Sequence, residues 1–474
     1  MTTIDLSLER ISRLVARFPP YTRPTVHVTG TNGKGSVTSL VASILRESGM
    51  KVGKFNSPHL LHPRDAIEIG GSPVSLAQYD EVYKRIQRTN NDTFKDASGH
   101  SNTQDAIAAS QFEVLTVTAL RIFEEEQVDM AVVEVGMGGR LDATNILPPE
   151  NVVKVSAMTM VDLDHTRWLG STISAIAREK AGIARRNTPF VIGPQKPERM
   201  EDVEQSVREA VRNVGTVTRP GARVLPLPND RALGQEDSIV LDLALRGSHQ
   251  VDNLSTALAI VECLQEQQDA TSPYQITTES ITRGVSNARW PGRLEFVEYT
   301  SPKGPCTILL DGAHNASSAT ALRTYIDTIR PNDPLTTGNG GTQIRYPVSF
   351  VMALSDSPPK TPTDTLEPLL QPGDHVAAVE FSSVEDMPWV RPVNLHEICN
   401  AVEPLIGDTG KIWKDESDGE AKTTPSSSLN HLEDALHWAI EHANGGLVVV
   451  AGSLYLVADF YRLMGTYPQK FKRL

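Results

Sequence analysis

A glycine-rich segment near the amino terminus has residue types and a spacing that could bind a phosphate chain. It follows the short run Thr25–Thr29 and precedes a helix-like run over residues 37–48. Glycines let the backbone wrap around phosphates without Cβ clashes, and the N–H groups of a helix amino terminus attract anions. The segment therefore predicts a nucleotide site, with a structural glycine turn as the alternative. Its residues are Gly30, Thr31, Asn32, Gly33, Lys34, Gly35 and Ser36.

Two side chains of this loop could do chemistry. Lys34 can reach the terminal phosphates of a nucleotide, and the hydroxyl of Ser36 can bind Mg²⁺. The lysine precedes the last glycine, which differs from the common spacing of phosphate loops. The run 136–139 is also rich in glycine, but Leu141 stands where a dinucleotide-binding motif has its last glycine. That run is weak support for NAD binding.

Three polar clusters follow other strand-like runs, at residues 57–59, 134–142 and 162–165. The carboxyl ends of parallel strands meet at one edge of a sheet, so these clusters are expected near the phosphate loop. Glu134 ends an apolar run and is costly there unless it is paired or bound to a metal. Magnesium prefers oxygen ligands, so one carboxylate with serine hydroxyls and phosphates suffices. His165 taken alone is interpreted as a satisfied core or surface histidine.

The elements that must position these residues alternate between strands and helices. Strands are predicted at Thr25–Thr29 and at residues 130–135, 152–159 and 189–193, and helices at residues 37–48 and 112–126. This alternation predicts an α/β fold with right-handed crossovers and a mostly parallel sheet. A second, smaller α/β block begins near Trp290, with strands at residues 307–310, 348–353, 375–380 and 447–451. We expect domains at residues 1–289 and 290–474, and solvated loops at residues 331–345 and 415–428.

Composition excludes some classes of function. The 474-residue chain carries a formal net charge of −13, which argues against nucleic-acid binding because that needs a basic face. Its three cysteines, Cys263, Cys306 and Cys399, have no metal-ligand spacing and are expected to be inert thiols in a reducing compartment. Residues 1–17 lack the long apolar centre that is typical of a secretory signal, and the apolar stretch 447–460 is too short to span a membrane. These features predict a cytoplasmic protein, with a mitochondrial pool as an alternative.

Taken together, the motifs resemble the folylpolyglutamate synthase and dihydrofolate synthase family of the Mur-ligase superfamily. The resemblance covers most of the chain in order. It is carried by residues 30–36, 57–60, 134–145, 164–172, 179–183, 249–253, 290–295, 311–315 and 451–455. It implies a Mur-ligase-like ATP-binding domain with a phosphate loop, followed by a Rossmann-like glutamate-ligase domain. It also implies a monomer that uses ATP, L-glutamate and a pteroate or folate acid.

The resemblance implies an amide-forming reaction through an acyl phosphate, with Mg²⁺ and cations stabilising the charge that moves onto oxygen. Ser36 and Ser57 would bind magnesium with Glu134, and Glu134 with His165 would bind a second ion. Lys180 matches a lysine that is carbamylated in this family, although alone it reads as an ordinary solvated helix lysine. Asn253, Arg293 and Asp311 match ATP contacts. His314 matches a position close to the reacting phosphate and glutamate.

Acceptor-binding roles are implied for His59, Leu60, Arg64, Phe112 and Glu113. An aromatic ring can stack on a pterin and a carboxylate can accept its N–H groups. A helix start with a glutamate favourable to the dipole is the alternative for the last two residues.

The acceptor itself is indicated by the segment after Leu60. Many folate-extending members carry a second arginine where this chain has Ala66. That change removes a cation which could contact the glutamate tail of a folate, so dihydropteroate is the favoured acceptor. The residues 387–390 resemble fungal members that use dihydropteroate, and Asn32 stands where eukaryotic folate-extending members often have lysine. A folate acceptor, or the use of both, stays open.

Two other classes remain as alternatives. A P-loop kinase or nucleotidase would release ADP without glutamate, but it does not need the long second domain with Asp311 and His314. A non-catalytic nucleotide-binding module does not need Lys34, Glu134 and Lys180 together. Dependence of ADP release on glutamate and acceptor separates these classes from a ligase.

Overall fold

The computed structural model folds into two compact units. The first comprises Met1–Ala244 with His249–Trp290, and the second comprises Leu245–Ser248 with Pro291–Leu474. The structure describes residues 7–93, 108–148, 151–212, 214, 217–220, 240–268, 271–330, 336–337, 343–344, 347–358, 360–384, 387, 389–414 and 425–465.

The first unit is built on an eight-stranded sheet in the order β4-β3-β2-β5-β1-β6-β7-β8. The six strands from β2 to β8 in that order are parallel, while β3 and β4 join antiparallel at one edge. The strands are β1 (Thr25–Thr29), β2 (Val52–Phe55), β3 (Ile67–Ile69), β4 (Ser72–Pro73), β5 (Met130–Glu134), β6 (Val153–Met158), β7 (Pro189–Ile192) and β8 (Val217–Pro220). Central strands β1 and β5 are buried at every position, as expected for a parallel sheet covered on both faces.

Helices connect these strands. They are α1 (Glu9–Val15), α2 (Lys34–Glu47), α3 (Leu76–Thr93), α4 (Gln111–Glu125), α5 (Thr166–Leu169), α6 (Ile173–Ala181), α7 (Met200–Arg212), α8 (His249–Gln265) and α9 (Thr278–Asn287). Short 3₁₀ helices lie at Pro63–Ala66, Ala143–Ile146 and Pro197–Arg199. Helix α2 is buried without interruption from Gly35 to Leu45 because it packs between the sheet and the helices α8 and α9. This burial fixes the helix that carries the phosphate loop.

The second unit contains a six-stranded sheet in the order β15-β14-β13-β16-β10-β9. Its strands are parallel except for the edge pair β9 and β10. The strands are β9 (Glu295–Ser301), β10 (Gly304–Leu310), β11 (Thr336–Thr337), β12 (Gln343–Ile344), β13 (Ser349–Met352), β14 (His375–Ala378), β15 (Lys411–Trp413) and β16 (Val448–Ala451). The helices are α10 (Ala316–Ile329), α11 (Pro362–Leu366), α12 (Leu395–Ile406), α13 (Pro425–Ala443) and α14 (Leu454–Leu463).

The predicted α/β class and mostly parallel sheets are confirmed. Two loop predictions were wrong in part. The segment 331–345 contains the paired strands β11 and β12, and the segment 415–428 overlaps the start of α13 at Pro425. The other residues of both segments lie mostly outside the described part of the chain. Pattern alone missed these elements because glycine, serine and threonine favour loops unless tertiary contacts override them.

Candidate nucleotide and metal site

The phosphate loop runs from the carboxyl end of β1 into α2. Gly33 is the residue before α2 and has φ +90°, a conformation that side chains rarely adopt. A Cβ there would lie 2.1 Å from Asn253 Oδ1, and one on Gly35 would lie 2.3 Å from the ring of Trp290. Both positions therefore require glycine, because backbone and neighbours approach too closely for any other residue. Asn253, predicted to contact ATP, thus lies directly against the loop.

The end of β6 holds the loop in place. The N–H of Thr31 donates to the carbonyl of Met160 at 2.9 Å, and Thr159 Oγ1 donates to the carbonyl of Asn32 at 2.7 Å. Asp162, from the third polar cluster, forms ion pairs with Lys196 and Arg199. Burial acts to raise the pKa of Asp162, but these two cations bring it below its usual range. The carboxylate of Asp162 therefore binds the segment that carries Lys196 and Arg199.

Lys34, at the start of α2, lies close to Glu134. The Nζ of Lys34 is 3.8 Å from Glu134 Oε1 and donates to the carbonyl of Thr31 at 3.2 Å. Glu134 is 4 % exposed at the end of β5, and its Oε2 accepts a hydrogen bond of 2.5 Å from Asn56 Nδ2. The sequence-based expectation that this buried carboxylate is paired agrees with these contacts.

Ser36 lies in the first turn of α2 and is buried. Its Oγ accepts a hydrogen bond of 3.2 Å from Gln250 Nε2, and Asn253 Nδ2 donates to Gln250 Oε1 at 2.8 Å. Helix α8 therefore orients the hydroxyl that the sequence assigns to magnesium. Sequence analysis gave Gln250 no role, although its place three residues before Asn253 puts both on one helix face.

Lys180 is 3 % exposed on α6, so it is not the solvated helix lysine that its sequence context alone suggests. Its Nζ donates to the carbonyl of Gly30 at 2.7 Å. Burial, helped by the positive charge of Lys34, lowers the pKa of Lys180 to about 7. Its amine therefore has a substantial neutral fraction near neutral pH, and a neutral amine is nucleophilic.

The remaining predicted metal ligands lie at loops of the first unit. Ser57 lies two residues after the end of β2 and forms a cis peptide bond with Pro58. His165 is exposed at the start of α5, and its N–H donates to Asp164 Oδ1 at 2.9 Å. Among the residues that the structure describes, no group of three or more His, Cys, Asp and Glu side chains forms a metal site. The donors present are mainly carboxylate, hydroxyl and amide oxygens, which fit magnesium.

Asp142 organises the glycine-rich loop after Glu134. Its Oδ2 accepts from the N–H of Met137 at 2.8 Å, and its Oδ1 accepts from Thr144 Oγ1 at 2.5 Å. His27 Nε2 lies 2.8 Å from the same threonine hydroxyl. Burial raises the pKa of Asp142 and lowers that of His27. Sequence analysis assigned neither residue a role, because their partnership spans more than a hundred positions.

The predicted acceptor-binding residues also lie in the first unit. His59 is buried and Leu60 half-buried, and Arg64 Nη1 donates to the carbonyl of Val74 at 3.2 Å. Phe112 stacks on Phe55 with ring centroids 6.2 Å apart.

Glu113 has mainly local contacts. Its Oε2 accepts from the N–H of Ser110 at 2.6 Å in a capping box of α4, and it lies 3.2 Å from Arg10 Nη2. The observed contacts of Glu113 are therefore those of a glutamate at a helix start, which was the alternative to a pterin contact.

In the second unit, Asp311 and His314 follow β10. Both oxygens of Asp311 accept backbone hydrogen bonds, from Leu294 at 2.9 Å and from Ala313 at 2.8 Å. Burial raises the pKa of Asp311 although Arg293 opposes this. Arg293 Nη1 donates to the carbonyl of Gly292 at 3.3 Å. Asp311 thus fixes the turn on which Arg293 stands.

His314 is exposed, and its Nδ1 donates to the carbonyl of Gly312 at 3.0 Å. The carbonyl of His314 accepts from Lys360 Nζ at 2.7 Å and from Thr365 Oγ1 at 3.3 Å. These contacts hold its backbone while leaving the ring at the surface. Lys360 was not singled out by sequence, because forty-six positions separate it from its partner.

Two family models match the chain. The model described as Mur ligase middle domain matches residues 28–261, and that described as Dihydrofolate synthetase, C-terminal domain, matches residues 294–463. Dihydrofolate synthetase of Saccharomyces cerevisiae is 32 % identical over 472 residues, which cover 98 % of this chain and 99 % of the relative. The chain belongs to the dihydrofolate synthetase and folylpolyglutamate synthase family. The family suggested by the sequence motifs is thereby confirmed.

Solved structures of this family share the fold. Folylpolyglutamate synthase of Mycobacterium tuberculosis, complexed with ADP and AMPPCP, has a TM-score of 0.74 and 28 % identity, covering 98 % of this chain and 96 % of its own. FolC of E. coli, in complex with DHPP and ADP, has a TM-score of 0.71 and 25 % identity, covering 98 % and 94 %. Within the described residues, none of the helices combines the length and apolar character needed to cross a bilayer.

Proposed function

We propose that this protein uses Mg·ATP to join L-glutamate to 7,8-dihydropteroate, giving dihydrofolate, ADP and phosphate. The observation that carries the proposal is the meeting of Lys34, Glu134 and Lys180 at one phosphate loop. A loop of this form binds a nucleotide, and a buried carboxylate beside it supplies an oxygen ligand for magnesium. Membership of a ligase family supports the reaction type.

The reaction proceeds in two transfers. The acceptor carboxylate attacks the terminal phosphorus of ATP, and the bond to ADP breaks to leave an acyl phosphate. The glutamate amine then attacks the acyl carbon, and phosphate leaves from the tetrahedral intermediate as the amide forms. Lys34 neutralises charge that develops on the transferred phosphoryl oxygens. Ser36, Ser57 and Glu134 would hold magnesium, which would supply Lewis-acid stabilisation of the phosphate oxygens.

We propose that Lys180 becomes carbamylated. The ammonium first loses one proton, and the neutral amine then adds CO₂ and releases a second proton as the carbamate forms, so that a cation becomes an anion. That anion, with Glu134 and His165, would hold a second magnesium ion. The low pKa of Lys180 supports this step, because only the neutral amine reacts.

The residues of the second unit take roles in the same reaction. We propose that Arg293 and Asp311 contribute to ATP binding with Asn253 of the first unit. His314 acts on the reacting phosphate or on glutamate, since its ring is exposed while its backbone is held by Lys360 and Thr365.

Dihydropteroate is the proposed acceptor because the chain has no cation at Ala66. That residue is 2 % exposed and belongs to the hydrophobic core of the first unit, where a charged side chain would be costly. His59, Leu60, Arg64 and Phe112 are the proposed acceptor contacts. A folate acceptor is the second candidate, favoured by the similarity to folylpolyglutamate synthase. We further propose a cytoplasmic monomer.

The deciding experiment measures ADP release with Mg·ATP and glutamate, using 7,8-dihydropteroate or tetrahydrofolate as acceptor. We expect turnover with dihydropteroate that requires glutamate. Turnover with tetrahydrofolate alone would make the protein a folate extender, and turnover with both would make it bifunctional. Glutamate-independent ADP release would contradict the ligase assignment.

A further inference from the structure

Asn56 links the phosphate loop to the proposed metal-binding carboxylate. It follows β2 and is 4 % exposed. Its Nδ2 lies 2.5 Å from Glu134 Oε2 and 2.7 Å from Thr38 Oγ1. Thr38 Oγ1 in turn lies 3.0 Å from the carbonyl of Gly35. One amide group therefore contacts both the helix of the loop and the buried carboxylate.

The chemistry of these partners fixes the orientation of the Asn56 amide. A carbonyl only accepts, so the Thr38 hydroxyl must donate its single hydrogen to Gly35. The threonine oxygen is then an acceptor toward Asn56, and the ionised Glu134 is an acceptor as well. Both neighbours require donors, so Nδ2 and not Oδ1 must face them. The two hydrogens of Nδ2 are thereby used.

This orientation leaves Asn56 Oδ1 buried without a hydrogen-bond partner among the described residues. A buried amide oxygen with no donor is destabilising, because it has lost its hydrogen bonds to water. The unpartnered oxygen belongs to the amide that contacts Glu134, whose other oxygen lies 3.8 Å from Lys34. In a site of oxygen ligands next to phosphates, the donor of matching chemistry is water bound to magnesium, because that ion keeps several waters.

We propose that Asn56 is a positioning residue of the metal site. Its Nδ2 clamps Glu134 Oε2, and its Oδ1 accepts a hydrogen bond from water bound to the divalent cation that accompanies the nucleotide. This inference rests on the proposed function in assuming a nucleotide–metal complex at the loop. It does not depend on which acid is the acceptor.

The clamp has a defined consequence for Glu134. Fixing Oε2 orients the carboxylate plane, so that Oε1 is directed toward Lys34 and the phosphate loop. Loss of the clamp removes one of the contacts that orient the Glu134 carboxylate next to Lys34. Groups that orient metal ligands typically change metal affinity about 10–100-fold when they are lost.

The test compares Asn56→Leu with Asn90→Leu. Asn90 is a matched control because it is also a buried asparagine of the first unit. Its Nδ2 donates to the carbonyl of Ala109, and its Oδ1 accepts from the N–H of the same residue. Mn²⁺ binding is measured by electron paramagnetic resonance on the full chain with ADP, without acceptor or glutamate. Thermal unfolding of each variant is recorded in parallel. Asn56→Thr is the second variant, because its hydroxyl can donate to Glu134 but it lacks the amide oxygen.

We expect Asn56→Leu to weaken Mn²⁺ binding about tenfold or more, Asn56→Thr to weaken it less, and Asn90→Leu to leave it within about threefold of the wild type. Loss of affinity below fivefold in Asn56→Leu, or an equal loss in Asn90→Leu, overturns the proposal. If Asn56→Leu does not fold, unchanged Mn²⁺ affinity in Asn56→Thr overturns it. A wild-type chain that binds no Mn·ADP would overturn the nucleotide site itself, which distinguishes the two failures.

Discussion

At the scale of single residues, the chemistry depends on charged groups that are removed from water. Lys180 and Glu134 are each less than 5 % exposed, and both lie near the cation Lys34. Burial disfavours the charged form of a lysine, and a neighbouring cation adds to that effect. The same two causes favour the neutral form of the Lys180 amine, which the proposed carbamylation requires.

The pH dependence of Lys180 carbamylation follows from its pKa of about 7. The neutral amine is about a tenth of the total one pH unit below that value and about nine-tenths one unit above it. At a fixed partial pressure of CO₂, we expect the carbamate signal in ¹³C NMR to rise as pH increases through this range. Lys180→Arg should show no signal and little ligase activity.

Lys54→Arg is the control, since Lys54 is another buried lysine of the first unit and lies 2.9 Å from Glu68. Its carbamate signal should match the wild type. A wild-type protein without a carbamate at high pH would refute carbamylation of Lys180.

At the scale of elements, helix α4 shows how one side chain can serve structure where function was predicted. Ser110 caps the helix through the N–H of Glu113 at 3.3 Å, and Glu113 reciprocates at 2.6 Å. The ion pair with Arg10 ties the same helix to α1. These contacts bring Phe112 to the face that stacks on Phe55. The capping interpretation of Glu113 therefore includes a positioning effect on the ring beside it.

We expect Ser110→Ala to lower the free energy of unfolding by about 1 kcal/mol, because it removes the side-chain acceptor at the helix start. Glu113→Gln keeps a residue type that completes capping boxes, so it should leave the KM for the acceptor near the wild-type value. Chemical denaturation and acceptor-dependent kinetics measure the two effects. A rise of tenfold or more in the acceptor KM of Glu113→Gln would instead identify a direct contact with the pterin.

At the scale of the whole molecule, the two units carry different parts of the proposed machinery. The first unit holds the phosphate loop with Lys34, Ser36 and Asn253. The second holds His314 on a loop after β10. Binding of nucleotide and the later chemical steps should therefore respond to different substitutions.

We expect Lys34→Ala to abolish detectable turnover and to weaken ATP binding strongly, because it removes a cation from the phosphates. His314→Ala should keep ATP binding near the wild-type value while kcat falls on the order of a hundredfold. Calorimetry of ATP binding and steady-state turnover separate these effects. His396→Ala, an exposed histidine of the same unit, is the control and should change neither. Normal turnover in His314→Ala would exclude the proposed role.

The phosphate loop, the α/β class and the main parallel strands could be predicted from local sequence patterns. These features follow from local rules: glycine spacing before a helix, and apolar runs of strand length bounded by turns. Motif order along the chain also determined the family, which the matches over nearly the full length confirmed. Glu134 was identified as a carboxylate that must be paired or bound to a metal, because an isolated charge at the end of an apolar strand is costly.

Which distant side chains form contacts became visible only in the tertiary structure. Lys180 donates to Gly30 across 150 positions, Asn56 reaches Glu134 across 78, and Gln250 reaches Ser36 across 214. No local pattern encodes such pairs, because they arise when parallel strands and their helices stack in one particular order. Burial, and with it the pKa of Lys180, is a property of that packing. The low pKa of Lys180 therefore follows from the assembled sheet and helices, and not from the residues next to Lys180 in the chain.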